Sequence, residues 1–324
     1  MSNIALFSFL LSLTLSTYPV FASDEDSVVF HTVQPKWEVG DAFSYQRVKI
    51  NNFYFNDSLI NEEQTVDLFH LKIEETVSHN IVQFYNDEAN FKKNKAPEGV
   101  DTEKLLLFKL IEDLSYQMFQ FPYRIQLSDS VLTHEPVVIN LSDYNTHLKA
   151  KTEATFDRYK EVLNKSEDEL NALKKYAIEY MEQEEKRVRE ALLEDFKALF
   201  FGYSVSISTE ATHKREFETK KIALFSEQPF QPIKATEEAA FDEVEKESNI
   251  NIERYYDKAD FLSKIKLVQP VFSNVKADDL TLIERTQITF EKPANWLTNQ
   301  TSEAIALLPG VKVVQVTTIQ RLVN

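Results

Sequence analysis

Alternating apolar and polar residues dominate the first part of the chain. The stretches 43–55 and 65–76 show period-two alternation, which is the spacing of a strand with one buried face. Further on, the apolar positions change parity near Met118-Phe119, so we predict a β-bulge there. Residues 23–142 are therefore predicted to form an N-terminal β-rich part.

A helical pattern replaces this alternation over residues 143–201. Apolar residues recur there at spacings of three and four, in two stretches without Gly or Pro, as on amphipathic helices. Ser166 and Glu169 form the S-x-x-E pattern of a capping box at the start of the second stretch. We predict a helical hairpin with helices of about 20 and about 35 residues. Because the lengths differ, the second helix must overhang the first, bend, or pack its far half on another part of the chain, and the charged stretch 182–187 interrupts its apolar stripe. Gly202 is predicted to end this helix.

Alternation returns after the hairpin, in a C-terminal β-rich part, 202–324. A short acidic helix at 236–247 and a helix at 302–308 are predicted to interrupt the strands, and Pro309-Gly310 is typical of a turn before a last strand. The predicted strands lie at 203–209, 213–225, 251–256, 265–272, 280–290 and 311–323.

These patterns predict an α+β fold. Many long strands joined by short turns imply a large, mostly antiparallel sheet, and wide sheets twist, so we expect it to be curved or a half-barrel. The inserted long helical hairpin is expected to bury its apolar side by packing on one face of the sheet. The C-terminal part is predicted to complete the same domain as the N-terminal part.

The first residues of the chain carry no charged side chain. An apolar run, 4–15, is followed by Val20-Phe21-Ala22, which matches the hydrophobic core and the cleavage site of a signal peptide. We therefore predict a signal peptide over 1–22, cleavage after Ala22, and an exported protein, periplasmic or secreted, without stable membrane insertion after cleavage. A membrane anchor is the alternative interpretation of the same run.

Composition narrows the possible chemistry. The 324 residues include 36 Lys and Arg, 52 Asp and Glu, four Gly and no Cys, with a formal net charge of −16. The absence of Cys excludes thiol catalysis, disulfides and Cys-ligated metal centres. Four scattered glycines exclude glycine-rich phosphate loops. The negative charge disfavours nucleic acid as a partner, and no cofactor is predicted.

Two groups of side chains are candidates for function. Aromatic rings at successive positions of one sheet face predict an apolar ligand site, although ordinary core packing explains the same residues. His70 and His79 lie on strands that could pair, and they are the candidate ligands of a metal site; the alternative is two half-exposed strand residues. The candidate ligand-binding residues are Phe53, Phe55, Phe119, Phe121 and Tyr123.

The missing catalytic motifs and the aromatic strands together favour a binding protein over an enzyme. The leading hypothesis is an exported, non-enzymatic protein that binds an apolar or lipid-like molecule, or another envelope or secreted protein. One alternative is a hydrolase that uses carboxylates or a His-centred metal site. Another is an assembly or structural protein that uses the long helix 167–201. The sequence does not define the oligomeric state.

Overall fold

A computed structural model describes most of the chain. The predicted signal peptide 1–22 and the predicted bulge at Met118-Phe119 lie outside the described residues. The described residues are 30–76, 80–87, 105–106, 109–111, 113–114, 120–127, 136–208, 212–219, 232–268 and 274–323.

Strands and three longer helices build the described part of the chain. The strands are β1 (Phe30–Thr32), β2 (Ala42–Phe55), β3 (Ser58–Glu75), β4 (Asn80–Asp87), β5 (Tyr123–Leu127), β6 (Val137–Val138), β7 (Ser206–Ser208), β8 (His213–Thr219), β9 (Ile233–Glu243), β10 (Glu247–Tyr256), β11 (Thr281–Glu291), β12 (Trp296–Leu308) and β13 (Val311–Leu322). The helices are α1 (Leu141–Leu163), α2 (Glu167–Phe200) and α3 (Lys258–Val268).

One large antiparallel sheet organises the fold. Its strand order is β6-β5-β4-β3-β2-β13-β12-β11-β10-β9-β8, so β6 and β8 form two edges and the sheet is not closed. β1 and β7 pair separately. The predicted α+β class, with a large curved antiparallel sheet and a helical hairpin on one face, is confirmed.

The central pair of strands, β2 and β13, comes from opposite ends of the described chain. They pair from Val311 opposite Phe55 to Leu322 opposite Ser44. Gly310 forms the turn before β13, as predicted, with a φ of 72° that glycine adopts without steric cost. The strands before and after the helical hairpin therefore belong to the same sheet.

The helical hairpin has the predicted unequal lengths. α1 has 23 residues and α2 has 34, a difference of about three turns. The Ser166 side chain accepts a hydrogen bond from Glu169 N, and the Glu169 side chain accepts one from Ser166 N, which confirms the capping box.

None of the helices in the described residues is both long and apolar enough to cross a membrane.

All three helices pack on the same face of the sheet. Arg47 of β2 bonds to Asp195 of α2, so odd-numbered residues of β2 face the hairpin. Phe261 of α3 packs against Ile233 of β9. The strand register from β2 to β9 places Ile233 on the same face of the sheet as Arg47. We call this the helix-covered face, and the opposite face, which carries Tyr54, the outer face.

Two apolar clusters form the core on the helix-covered face. The larger one lies under α1 and α2 and includes Phe84, Tyr144 and Phe196. The smaller one lies under α3 and includes Ile233 and Phe261.

Three predicted elements are wrong in type. Residues 236–247 form most of β9 and the start of β10, and 302–308 form the second half of β12. Both contain residues with good helix propensity, yet pairing with neighbouring strands outweighs local propensity. The predicted strand at 265–272 overlaps the end of α3, and residues 269–272 lie outside the described part. Asp257 Oδ1 accepts a hydrogen bond from Asp260 N at the start of this helix.

Gly202 does not end α2 through a left-handed conformation. It lies in a 3₁₀ turn, Phe201–Ser204, that continues from the helix. A Cβ at this position would lie 2.6 Å from Phe290 Cζ and 3.0 Å from Ile288 Cγ2. Glycine is therefore required because the turn packs closely against β11.

Candidate functional site

Strand β2 carries a graded series of side chains along the helix-covered face. Exposure rises from 5% at Lys49 to 39% at Phe53 and 50% at Phe55. A buried charged region and an open apolar region therefore lie within about 20 Å of each other on one strand. The series is, in order, Arg47, Lys49, Asn51, Phe53 and Phe55.

Arg47 is held between two carboxylates. Its Nε and Nη2 donate to Asp67 Oδ2 of β3 at 2.9 and 2.7 Å, and its Nη1 donates to Asp195 Oδ1 of α2. Burial alone lowers the pKa of Arg47, but the attraction of Asp195 and Asp67 outweighs it and raises that pKa above its ordinary value. The guanidinium stays cationic and fixes α2 to the sheet.

Lys49 lies beside this charged cluster. The structure shows no hydrogen bond or ion pair of its ammonium group with the described residues, and its cross-strand neighbours are Thr65 and Thr317. Burial, and next the positive charge of Arg47, lower the pKa of Lys49 to about 7. Lys49 can therefore change its charge near neutral pH.

Uncharged polar side chains continue across the sheet from Lys49. Gln315 Nε2 of β13 donates to Asn51 Oδ1 at 3.1 Å, and the hydroxyls of Thr286 and Ser302 lie 3.1 Å apart on β11 and β12. The position of Lys49 is therefore bordered by amides and hydroxyls rather than by apolar packing.

Charged residues of alternating sign cross the other half of the helix-covered face. Glu237 accepts from Arg215 Nη2 at 2.6 Å and from Arg254 Nη2 at 2.8 Å, and Arg254 Nη1 donates to Glu284 at 3.0 Å. Both guanidiniums also lie over the Phe217 ring, 5.4 and 5.2 Å from its centroid. We call these four charged residues the ionic chain. Its formal charges balance, so it supplies no excess charge to attract a ligand.

An exposed apolar patch lies at the far end of β2. Val313 and Val311 of β13 are paired with Phe53 and Phe55, and Leu308 of β12 is paired with Val311. These five residues are the apolar patch. Leu308 and Val313 also pack against the apolar cluster under α3. The patch therefore continues a buried cluster onto the accessible part of the helix-covered face.

The predicted aromatic residues occupy two separate places. Phe121 and Tyr123 lie in the core, with ring centroids 4.9 Å apart, and both contact Tyr144 of α1. By register across β4 and β3, Tyr123 lies level with Phe43 of β2, which is about 33 Å along the strand from Phe53.

The structure does not bring all the predicted ligand-binding residues together. Phe53 and Phe55 lie next to each other on the helix-covered face and are exposed, whereas Phe121 and Tyr123 are core residues. Phe119 lies outside the described residues. A ligand-binding role for these residues stays a prediction, and the geometry directs it to Phe53 and Phe55.

His70 lies on the outer face, away from the helices. Its Nδ1 is 2.9 Å from Ser44 Oγ, and its ring stacks on Tyr85 at 4.8 Å. β3, which carries His70, pairs with β4 from Leu68 opposite Asp87 to Glu75 opposite Ile81. His79 lies outside the described residues. No group of three or more potential metal ligands occurs among the described residues.

Lys49 and the cluster around Arg47 are not among the residues predicted from the sequence to have a function. One feature of the sequence could have indicated them. Arg47 and Lys49 stand at odd-numbered positions, like Tyr45 and Phe53, and therefore lie on the same face of the strand as these aromatic residues. Charged side chains on the apolar face of a strand are unfavourable unless they are paired, so they point to an ion pair or to a functional role. The pairing of Arg47 with Asp195 is visible only in the folded chain.

Comparison with known proteins identifies no family for this chain. No protein-family model and no curated protein sequence matches it. Among solved structures, one described as lipid-protein interactions in lipovitellin aligns with 88% of this chain at 8% sequence identity and a TM-score of 0.39. The alignment covers 25% of that other chain, so this chain spans about a quarter of its length. A likeness of this extent carries no information on function.

Proposed function

We propose that this protein is an exported, non-enzymatic binding protein that holds an apolar or lipid-like molecule on the helix-covered face of its sheet. The observation that supports the proposal is the exposed apolar patch around Phe53 and Phe55. Helices cover the neighbouring parts of this face, and the patch is continuous with the buried cluster under α3.

The physical argument rests on the position of the patch. Single exposed apolar residues are ordinary, but contiguous ones on a concave or partly covered face mark binding sites. Phe53 and Phe55 each retain a large exposed ring surface, and covering such surface stabilises a complex by roughly 25 cal/mol per Å².

Substitutions on the two faces of the β2–β3 strand pair test the ligand site. We expect Phe53→Asn with Phe55→Asn to weaken binding of Nile red, a neutral apolar dye, at least about tenfold, because two apolar contacts are lost. The control is Leu59→Asn, since Leu59 is 51% exposed but lies opposite Tyr54 on the outer face. Equal Nile red affinities for all three proteins would contradict the proposal.

Organic extraction tests the same proposal with the natural ligand. We expect mass spectrometry of extracts from protein purified from its native host to recover an apolar molecule in stoichiometric amount. Extracts of the Phe53→Asn, Phe55→Asn protein should contain less of it, and extracts of the Leu59→Asn protein should not. Extracts without such a molecule in the unmodified protein would remove the small-ligand form of the proposal.

Export is a separate part of the proposal. It is supported by the uncharged, apolar beginning of the sequence and by the small residue Ala22 before a charged segment. We expect N-terminal sequencing of the protein from the exported fraction to begin at Ser23. Recovery of the intact N-terminus in the cytoplasm would exclude cleavage.

A further inference from the structure

We infer that the ligand is an acidic amphiphile, whose anionic head group is bound by Lys49 while its apolar part lies along Phe53 and Phe55. This inference rests on the proposed function, because it names the chemical class of molecule that the same face would bind.

Charge complementarity assigns the head group. Lys49 is 5% exposed, and both carboxylates near it, Asp67 and Asp195, already accept hydrogen bonds from Arg47. A buried ammonium without a bonded counter-ion is unfavourable, and an anion placed beside it removes that cost. A carboxylate or a phosphate monoester is the simplest group that satisfies an ammonium with three donors.

The spacing along β2 fits a molecule with a polar end and an apolar end. Lys49 and Phe53 are four residues apart on the same face, which is about 13 Å. Asn51 and Gln315 lie between them and can donate to or accept from a polar linkage next to the head group. An amphiphile that enters from the open end would therefore meet aromatic rings, then amides, then the ammonium.

The charged groups around Lys49 set its response to pH. Arg47 faces it from β2, Asp67 from β3 and Asp195 from α2, and the exposed Glu63 lies two residues along β3 from Thr65, opposite Asn51. Burial and Arg47 favour the neutral amine, with a pKa of about 7. An anionic ligand needs the ammonium form, so its affinity should fall as pH rises above neutrality.

Binding of paired lipids that differ only in the head group tests this inference. The probes are oleic acid, oleoyl lysophosphatidic acid and oleyl alcohol, measured with the mature protein. We expect Lys49→Met to weaken binding of both acids by about tenfold or more relative to its effect on binding of oleyl alcohol. The acid that binds more tightly identifies the head group as carboxylate or phosphate. The control, Lys312→Met, removes a lysine on the outer face that lies over the Tyr54 ring.

A pH series on the unmodified protein gives a second measurement that needs no variant. Oleic acid is used below the concentration at which it aggregates, so that its carboxyl is surrounded by water and stays ionised between pH ~6 and pH ~9, because carboxyl groups in water have pKa values near 4. The affinity for oleic acid should therefore fall while that for oleyl alcohol stays constant. Equal affinities of Lys49→Met and unmodified protein for both acids would overturn the head-group assignment alone. Failure of the unmodified protein to bind any of the three probes would overturn the proposed function itself.

Discussion

Lys49 is a charged residue whose burial destabilises the folded state. Its cross-strand neighbours are neutral threonines, and the nearby carboxylates are bonded to Arg47. Burial lowers its pKa from 10.5 to about 7, so the folded state disfavours the ammonium that the unfolded chain carries freely. Residues with such perturbed pKa values concentrate at functional sites.

Replacement of Lys49 should therefore stabilise the protein in a pH-dependent way. Between pH ~7 and pH ~10 the unfolded state binds more protons than the folded state, so the penalty from Lys49 is full below neutrality and disappears as pH rises. We expect Lys49→Met to raise the free energy of unfolding by about 2–4 kcal/mol at pH ~6 and by much less at pH ~10. Urea unfolding at both pH values measures this. A gain that is the same at both would contradict it, and Lys312→Met should change little at either.

Part of this site could be predicted from residue order alone. Alternation over 43–55 predicts the strand, and the same parity places Lys49 and Phe53 on one face. The partner Asp195 could not be predicted, because it is 148 positions from Arg47 and lies on a helix with several other acidic residues. Sequence spacing carries no information on contacts at such a separation.

At the level of elements, prediction succeeded where periodicity and capping agreed. The helical hairpin combines apolar spacing with the Ser166 capping box, and both helices were predicted. Residues 236–247 lack such agreement, because their alanines and glutamates favour a helix locally, whereas in the folded chain every second residue of the first part of β9 is buried, among them Glu237 and Ala239. Register with β10 decides the outcome, and strand pairing depends on partners distant in sequence.

The contact between α2 and β2 gives a prediction at this scale. Arg47→Met leaves Asp67 and Asp195 without their shared cation, so we expect a loss of about 2–4 kcal/mol in the free energy of unfolding. Because α2 loses its ionic link to the sheet, amide exchange in α2 should accelerate more than in β10 and β11. Unfolding in denaturant and hydrogen exchange measure the two effects.

A matched variant on the outer face provides the control for Arg47→Met. Arg285 donates to Glu253 at 2.9 Å between β11 and β10, and both side chains are exposed. Exposed ion pairs contribute about 0–1 kcal/mol, so Arg285→Met should change stability little. Equal losses for the two variants would mean that the contact of Arg47 with α2 is unimportant for the fold.

At the scale of the whole molecule, the helix-covered face combines two apolar clusters with a crossing line of charge. The cluster under α1 and α2 and the cluster under α3 lie on opposite sides of the ionic chain. The α+β class and the large antiparallel sheet could be predicted from long alternating runs. The strand order could not, because pairing of β2 with β13 joins segments about 260 positions apart, and local patterns do not specify such partners.

Glu237 is the centre of the ionic chain, so its charge should matter for the whole fold. It is 3% exposed and bonds to both Arg215 and Arg254. Glu237→Gln would leave Arg215 and Arg254 with Glu284 as the remaining carboxylate of the ionic chain, next to apolar packing. We expect a loss of about 2–4 kcal/mol in the free energy of unfolding, because a broken buried pair leaves an uncompensated charge.

The adjacent residue is a stringent control for Glu237→Gln. Glu238 points to the outer face and pairs with Lys214 at 3.1 Å in an exposed position, so Glu238→Gln removes the same charge from the same strand at little cost, about 0–1 kcal/mol. Urea midpoints of the two variants should therefore differ clearly although their composition is identical. Coincident midpoints would mean that the ionic chain does not stabilise the junction between the two apolar clusters.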